Sequence, residues 1–283
     1  MNSLKLLIYK LSGGFSLLRF QFTINIANPC NRRCNFCPNH APGIIPDWYQ
    51  HWWKAQPDFM DADKFADFLK RMGVLRWFIR QLSFTGRGET LLHPDLLKFC
   101  SVAERYGIRF HITTNGDRLT RELESELAKF KHLHYVRVSV FDPERAEYWL
   151  KRQAKSPIRI HLQNVTQYHL KGYEDGFLSI NNPGTKQYCT MPEDFMDAKY
   201  CTAPFSFNTL NTDGSLVTCI TFFEVGNVFE HPFWKIWNGK KMRLIRRQAL
   251  SMSIPRKFAD CRNCGNFFRF EKYAKMNQLK EWK

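Results

Sequence analysis

Three cysteines fall within eight residues, Cys30, Cys34 and Cys37 of the stretch CNRRCNFC, and four more are spaced as Cys201, Cys219, Cys261 and Cys264. Cysteines grouped this way in a long chain point to metal chemistry rather than to a disulfide framework. Three thiolates on one tight loop can grip three corners of a cubane iron–sulfur cluster, leaving the fourth iron to a small molecule. Zinc would need a fourth ligand, which the nearby His40 can supply. The second group is built differently. In CTAPFSFNTLNTDGSLVTC, twelve residues separate Cys201 from Gly214 and four more lead to Cys219, before CRNC at 261–264. Four thiols suffice to ligate a further cluster completely, and a C-x2-C knuckle also suits a zinc ribbon. Cys100 reads as core, on the apolar side of a helix. Cys189, just ahead of the second group, stands as either a hydrogen-atom donor or an incidental thiol.

These residues need a scaffold, and the hydrophobic pattern supplies one. Short apolar runs alternate with helix-spaced segments from residue 20 to 166. Strands are expected at 20–27, 77–86, 108–116, 135–141 and 157–166, and helices at 61–73, 93–107, 118–130 and 143–155. Repeated β-α units imply a parallel sheet whose ligands gather at the carboxyl ends of the strands. Cys30 follows the first strand, and Gly86, Gly88 and Glu89 follow the second. Thr114, Asn115, Ser139 and Asn164 sit at the ends of the next three. The reading is an α/β fold, a partial (β/α)6 TIM-like barrel with a small C-terminal domain. Its bounds are an N-terminal segment 1–19, the barrel 20–166, a linker 167–200, and residues 201–283 carrying the second cysteine group and a basic tail. Asp213-Gly214 reads as a hairpin turn that brings Cys201 towards Cys219.

The CNRRCNFC spacing after a first strand resembles the radical SAM superfamily, and FTGRGETLLHPDL (84–96) resembles its Gly-rich stretch ahead of an acidic residue. Arg87 and Thr90 depart from the commoner glycine and proline. The resemblance spans about residues 20–166. It implies that Cys30, Cys34 and Cys37 hold a [4Fe-4S] cluster whose open iron chelates S-adenosyl-L-methionine (SAM). It implies too that Gly86, Gly88 and Glu89 receive the methionyl ammonium, that Thr114, Asn115 and Ser139 approach the methionyl and ribose groups with Asn164 beside them, and that Phe36 contacts adenine. Reductive cleavage of SAM in this family yields a 5′-deoxyadenosyl radical. The second cysteine group is similar to the twitch form of the SPASM domain, which implies one auxiliary [4Fe-4S] cluster moving electrons. Relatives of that form dehydrogenate aminocyclitols or epimerise aminoglycoside sugars.

Composition narrows the partners. A net charge of +16 over 283 residues favours an anionic partner, or else a solvated basic face. Lys240, Lys241, Arg243, Arg246 and Arg247 are helix-spaced and fit such a face. The stretch 41–60 carries Trp48, Tyr49, His51, Trp52 and Trp53, rings suited to stacking on a sugar or peptide or to covering the barrel. The expected substrate is a small anionic or sugar-like molecule, with oxidation or epimerisation as the outcome. Modification of a peptide or other macromolecule is the alternative, and only about twenty residues precede the first strand to carry a peptide-recognition module. No aromatic–basic motif of a known RNA module appears, which speaks against nucleic acid. An external reductant such as flavodoxin or ferredoxin is expected. No apolar run reaches the roughly 20 residues of a membrane span. Lys5, Lys10 and Gly13-Gly14 interrupt the N-terminal apolar residues, so a cytoplasmic protein is expected.

Overall fold

The computed structural model describes residues 20–34, 37, 54–140, 143–164, 203–205, 207–218 and 224–251. Phe36, His40, Cys189, Cys201, Cys219, Cys261 and Cys264 lie outside them, as do the segments 1–19 and 167–200 and the tryptophans at 48, 52 and 53. The β-α rhythm appears as read. β1 (Phe20–Ile24), β2 (Ile79–Phe84), β3 (Phe110–Thr114), β4 (Leu133–Val140) and β5 (Ile160–Asn164) alternate with α1 (Ala62–Arg71), α2 (Leu96–Arg105), α3 (Arg121–Leu127) and α4 (Pro143–Gln153). Local chemistry sets the helix starts. Asp61 caps α1 by accepting from the Asp63 and Lys64 amides (2.8 and 3.1 Å), and Thr120 caps α3 through the Leu123 amide.

One expected strand begins late. Residues 73–78 wind a 3₁₀ turn, and β2 starts only at Ile79. Arg76 explains the turn, because its guanidinium donates to the Leu69 and Lys70 carbonyls at the end of α1, both at 3.1 Å. Trp77 is left 83% exposed, so its aromatic character reflects neither strand nor core.

The sheet order is β5-β4-β3-β2-β1-β6-β7-β8, where β6 is Phe207–Leu210, β7 Ser215–Thr218 and β8 Glu224–Asn227. The first six strands run parallel, and the sixth comes from the C-terminal region to pair with β1 rather than following β5. β6, β7 and β8 form antiparallel hairpins that extend the same sheet. Between β6 and β7 the chain reverses at Asn211–Gly214, with Gly214 at φ +86°, the turn expected from Asp213-Gly214.

Strand residues alternate between two faces. Phe22, Ile24, Leu82, Phe84, Phe110, Ile112, Val136 and Val138 are buried beneath the helices, where the Phe65 ring meets Phe84 and Phe99 at 6.0 and 5.1 Å. The opposite face is polar. His111 sits between Gln81 and Ser83, each 2.5 Å from a ring nitrogen, so its Nδ1 accepts from the Gln81 amide and its Nε2–H meets the hydroxyl. Burial and then Arg137 hold His111 down at about 3, which keeps it neutral. Tyr135 stacks between His111 (4.7 Å) and His161 (4.4 Å), and Arg137 donates to its hydroxyl at 3.0 Å. Branched aliphatic side chains normally fill a TIM barrel interior. Here the face away from the helices carries hydrogen-bonding groups.

After β8 come α5 (Phe233–Trp237) and α6 (Lys240–Ser251). The basic cluster of α6 divides. Lys240, Lys241, Arg243 and Arg247 are exposed, whereas Arg246 is fully buried and does not belong to a solvated face. Its guanidinium donates to the Pro204 and Trp237 carbonyls (3.1 and 2.7 Å) and lies 3.9 Å from the Trp237 ring centre. A planar, weakly hydrated cation tolerates such a place where an ammonium would not.

A second buried charge joins α3 to α4. Glu124 is fully buried and accepts from Arg152 Nε (2.7 Å), Arg121 Nη1 (3.0 Å) and Ser156 Oγ (3.0 Å). Removing Arg152 leaves that carboxylate undercompensated in a dry site. Arg152→Met is expected to lower unfolding free energy by roughly 3–5 kcal/mol, measured by urea denaturation. A loss below about 1 kcal/mol would place the pair among weak surface bridges.

Candidate active site

The carboxyl ends of β1, β2 and β3 meet at one point, and Glu89 is its centre. Glu89 is 3% exposed. Its Oε1 accepts from the Thr114 hydroxyl (2.5 Å) and the Leu91 amide (3.0 Å), and its Oε2 accepts from the Asn115 amide (2.7 Å). Burial pushes the carboxyl above its ordinary range, opposed by these three donors. The result is a fixed acceptor in a low-dielectric seat, complementary to a cation.

The Gly-rich turn is pressed onto the root of the cysteine loop. The Gly88 amide donates to the Ala27 carbonyl (3.1 Å) and the Glu89 amide to Pro29 (2.8 Å). A Cβ at Gly88 would lie 2.3 Å from the Pro29 oxygen, and one at Gly86 would lie 2.0 Å from Asn25 Oδ1. Both glycines are therefore required by contact between two loops of this chain. Asn25 and Asn28 complete the junction. Asn25 donates to Asn28 Oδ1 (2.7 Å), and Asn28 in turn donates to the Pro57 carbonyl and to Thr212 Oγ1 in the β6–β7 turn.

Cys30, Cys34 and Cys37 are half-buried cysteines outside any disulfide, on the loop that this junction launches. The Arg32 amide approaches Cys30 Sγ at 3.4 Å, and the Cys37 amide donates to the Cys34 carbonyl at 3.1 Å. Burial pushes the Cys30 and Cys34 thiols up, so binding of a cation there must displace their protons. No three ligating side chains among the described residues converge on a point for a bare metal ion. The corners of a cubane are spread more widely than the ligands of one ion, and three cysteines on one loop, none in a disulfide, suit thiolate ligation of a cluster.

Thr114 and Asn115 join Glu89 directly. Ser139 lies on β4 opposite Gln163, and Asn164 ends β5 opposite Val140, so both stand on strands beyond β3 rather than in the Glu89 network. Sequence reading missed a further set. Arg32 bridges Asp117 through Nε–Oδ2 (2.6 Å) and Nη2–Oδ1 (2.7 Å), and Arg145 of α4 reaches Oδ1 at 2.7 Å. The Arg32 hydrogen bonds, then both positive charges, hold Asp117 down at about 2. The available signal was an acid directly after TTNG and an Arg-Arg pair inside the cysteine loop.

Residues 24–184 match the Radical SAM superfamily model and residues 201–265 match SPASM, an iron-sulfur cluster-binding domain. The chain belongs to the radical SAM superfamily. Its cofactors are accordingly SAM and a [4Fe-4S] cluster, with further iron–sulfur binding in the SPASM region. Over 108 residues it is 32% identical to the tungsten-containing aldehyde ferredoxin oxidoreductase cofactor-modifying protein of Pyrococcus furiosus, covering 38% of this chain and 26% of that one. The chain thus spans about a quarter of that relative's length. Over 261 residues it is 23% identical to the GTP 3',8-cyclase of Aquifex aeolicus, covering 90% and 72%. The structure of BtrN with AdoMet and 2-DOIA has a similar fold, at TM-score 0.63 and 21% identity over 89% of this chain and 95% of BtrN. Streptococcus suis SuiB bound to its precursor peptide SuiA matches at TM-score 0.54 and 13% identity, over 86% and 70%. Among the described residues no helix is long and apolar enough to cross a membrane.

Proposed function

We propose that the chain is a radical enzyme acting on a small polar molecule, a sugar, aminocyclitol or nucleotide-linked sugar, which it oxidises or epimerises. The observation that carries the radical-forming part of this reading is the buried Glu89 carboxylate, held by three donors beside the root of the cysteine loop. When bound, the cluster and SAM supply a 5′-deoxyadenosyl radical able to take a hydrogen atom from carbon. Cys30, Cys34 and Cys37 would hold the cluster. Glu89, with the backbone at Gly86 and Gly88, would orient the methionyl ammonium, while Thr114 and Asn115 keep that carboxylate fixed. Phe36, Ser139 and Asn164 would complete the nucleoside side. The polar sheet face around His111, Tyr135 and Arg137 supports a hydrogen-bonding substrate with an anionic group. Likeness in fold to BtrN is consistent with this. Likeness to SuiB supports a peptide substrate as the second reading.

Cys201, Cys219, Cys261 and Cys264 would ligate one auxiliary [4Fe-4S] cluster for electron transfer, and a flavodoxin or ferredoxin would deliver electrons. A cytoplasmic setting suits its free thiols. In the epimerase branch Cys189 would return a hydrogen atom to the substrate. Anaerobic reconstitution is expected to give about eight irons per chain, and four irons with one zinc would remove the auxiliary cluster. Turnover of candidate sugars in D2O then separates the outcomes. A product two electrons more oxidised marks dehydrogenation, solvent deuterium at the reacting carbon marks epimerisation, and turnover of peptides alone would overturn the small-molecule reading.

A further inference from the structure

We propose that Asp117 is a positioning residue for the cysteine loop, holding Cys30 and Cys34 in their ligand-bearing arrangement and coupling that arrangement to α4. The inference rests on the reading that this loop carries the cluster. Its basis is a set of contacts converging on one carboxylate. Asn31 and Arg32 lie between the first two cysteines, and both donate to Asp117. Oδ2 receives Asn31 Nδ2 (2.9 Å) and Arg32 Nε (2.6 Å), while Oδ1 receives Arg32 Nη2 (2.7 Å) and Arg145 Nη2 (2.7 Å). A bidentate pair fixes orientation as well as distance, so the backbone around Arg32 has little freedom to swing the flanking thiols.

The same contacts reach the Glu89 seat. Asn115 donates to Asn31 Oδ1 (2.8 Å), and its own Oδ1 accepts the Asp117 amide (2.9 Å). The guanidinium of Arg145 also donates to the Asn115 carbonyl (2.7 Å), while the Asn115 amide holds Glu89. Asp117 is thus bonded to the loop bearing the thiols, to the end of β3 whose Asn115 amide donates to Glu89, and to a helix outside both. Arg32, Arg145 and Asp117 are each about one-quarter exposed at their side chains, so water competes for them, and a bidentate bridge with a second cation is the geometry that survives such competition. Groups that orient metal ligands in this way typically account for about 10–100-fold in affinity.

The test uses the full chain, reconstituted anaerobically, with release of iron to a chelator followed in time. Cys34→Ala identifies which kinetic phase belongs to the loop. In Asp117→Ala that phase is expected to quicken about 10–100-fold, and the SAM-induced change in the reduced cluster's EPR signal should broaden or vanish. Asp117→Glu, which keeps a carboxylate for Arg32, should restore both in part. Should Asp117→Ala fail to fold by circular dichroism, Arg32→Lys keeps the charge but lacks the planar two-nitrogen fork that grips both oxygens, and faster release is expected at an unchanged melting temperature. Wild-type release from folded Asp117→Ala or Arg32→Lys overturns the proposal. A wild-type chain that takes up no iron refutes the cluster reading instead, so the two failures are distinct.

Discussion

Alanine at Cys30, Cys34 or Cys37 is expected to reduce 5′-deoxyadenosine formation to the uncatalysed background, each substitution sufficing alone. The three thiols share one loop, and each would serve a different iron of one cubane. Losing one leaves a second iron without protein ligation, and the site then offers two open corners in place of one. The measurement is chromatographic detection of 5′-deoxyadenosine after anaerobic incubation with SAM and dithionite. Cys100→Ala is the matching control. That thiol is fully buried on α2, and burial pushes it far up, so it packs as a small apolar group and is inert. Its replacement should leave radical formation intact. Retention of 5′-deoxyadenosine by all three loop variants would sink the assignment of that loop.

Glu89→Gln should weaken SAM binding about 30–150-fold, the loss of a charge-assisted hydrogen bond worth about 2–3 kcal/mol. The glutamine keeps size but not charge. Its amide nitrogen must also face either the Asn115 amide or the Thr114 hydroxyl and Leu91 amide, all donors to Glu89 at present. Equilibrium binding to the reconstituted chain would measure the effect, and equal affinity would remove Glu89 from the cofactor seat. The pH dependence has a definite sign. Burial raises the carboxyl above its ordinary range, so the ionised seat, and with it SAM affinity, fades from a higher pH than an exposed glutamate would show. Stability without ligand runs the other way. The folded chain holds this proton more tightly than the unfolded chain, so the stabilisation is present below the ordinary carboxylate pKa and is lost as pH rises through the raised value. Glu89→Gln cannot ionise and flattens that part of the profile.

Much of this was legible in the residues. Alternating periods of 2 and 3.6 placed five strands and four helices, because burying one face of each element leaves a local trace. The loop cysteines and Glu89 were legible because their chemistry depends on type and short spacing. Long-range pairing leaves no such trace. Nothing near Arg32 announces Asp117, 85 residues away, and Arg145 reads as one more surface cation of an amphipathic helix. Arg246 was misread for a similar reason, since helical spacing reports which residues share a face but not whether a later ring system covers them. The late start of β2 follows from Arg76 capping the preceding helix, an interaction stronger here than the strand preference of Trp77 and Phe78. The place of β6 beside β1 depends on pairing across more than 180 residues, which periodicity does not encode.

That placement has a consequence for how the chain can be divided. β1, which launches the cysteine loop, is an interior strand because β2 lies on one side and β6 on the other. Asn28 adds a side-chain tie from the root of the loop to Thr212 in the turn after β6. A chain cut ahead of residue 203 would turn β1 into a bare edge, with a row of backbone donors and acceptors open to the next molecule. The radical-forming half and the cluster-bearing tail are therefore not a module and an accessory. The tail closes the sheet that holds the loop in place, and losing it would cost solubility as well as the iron–sulfur site.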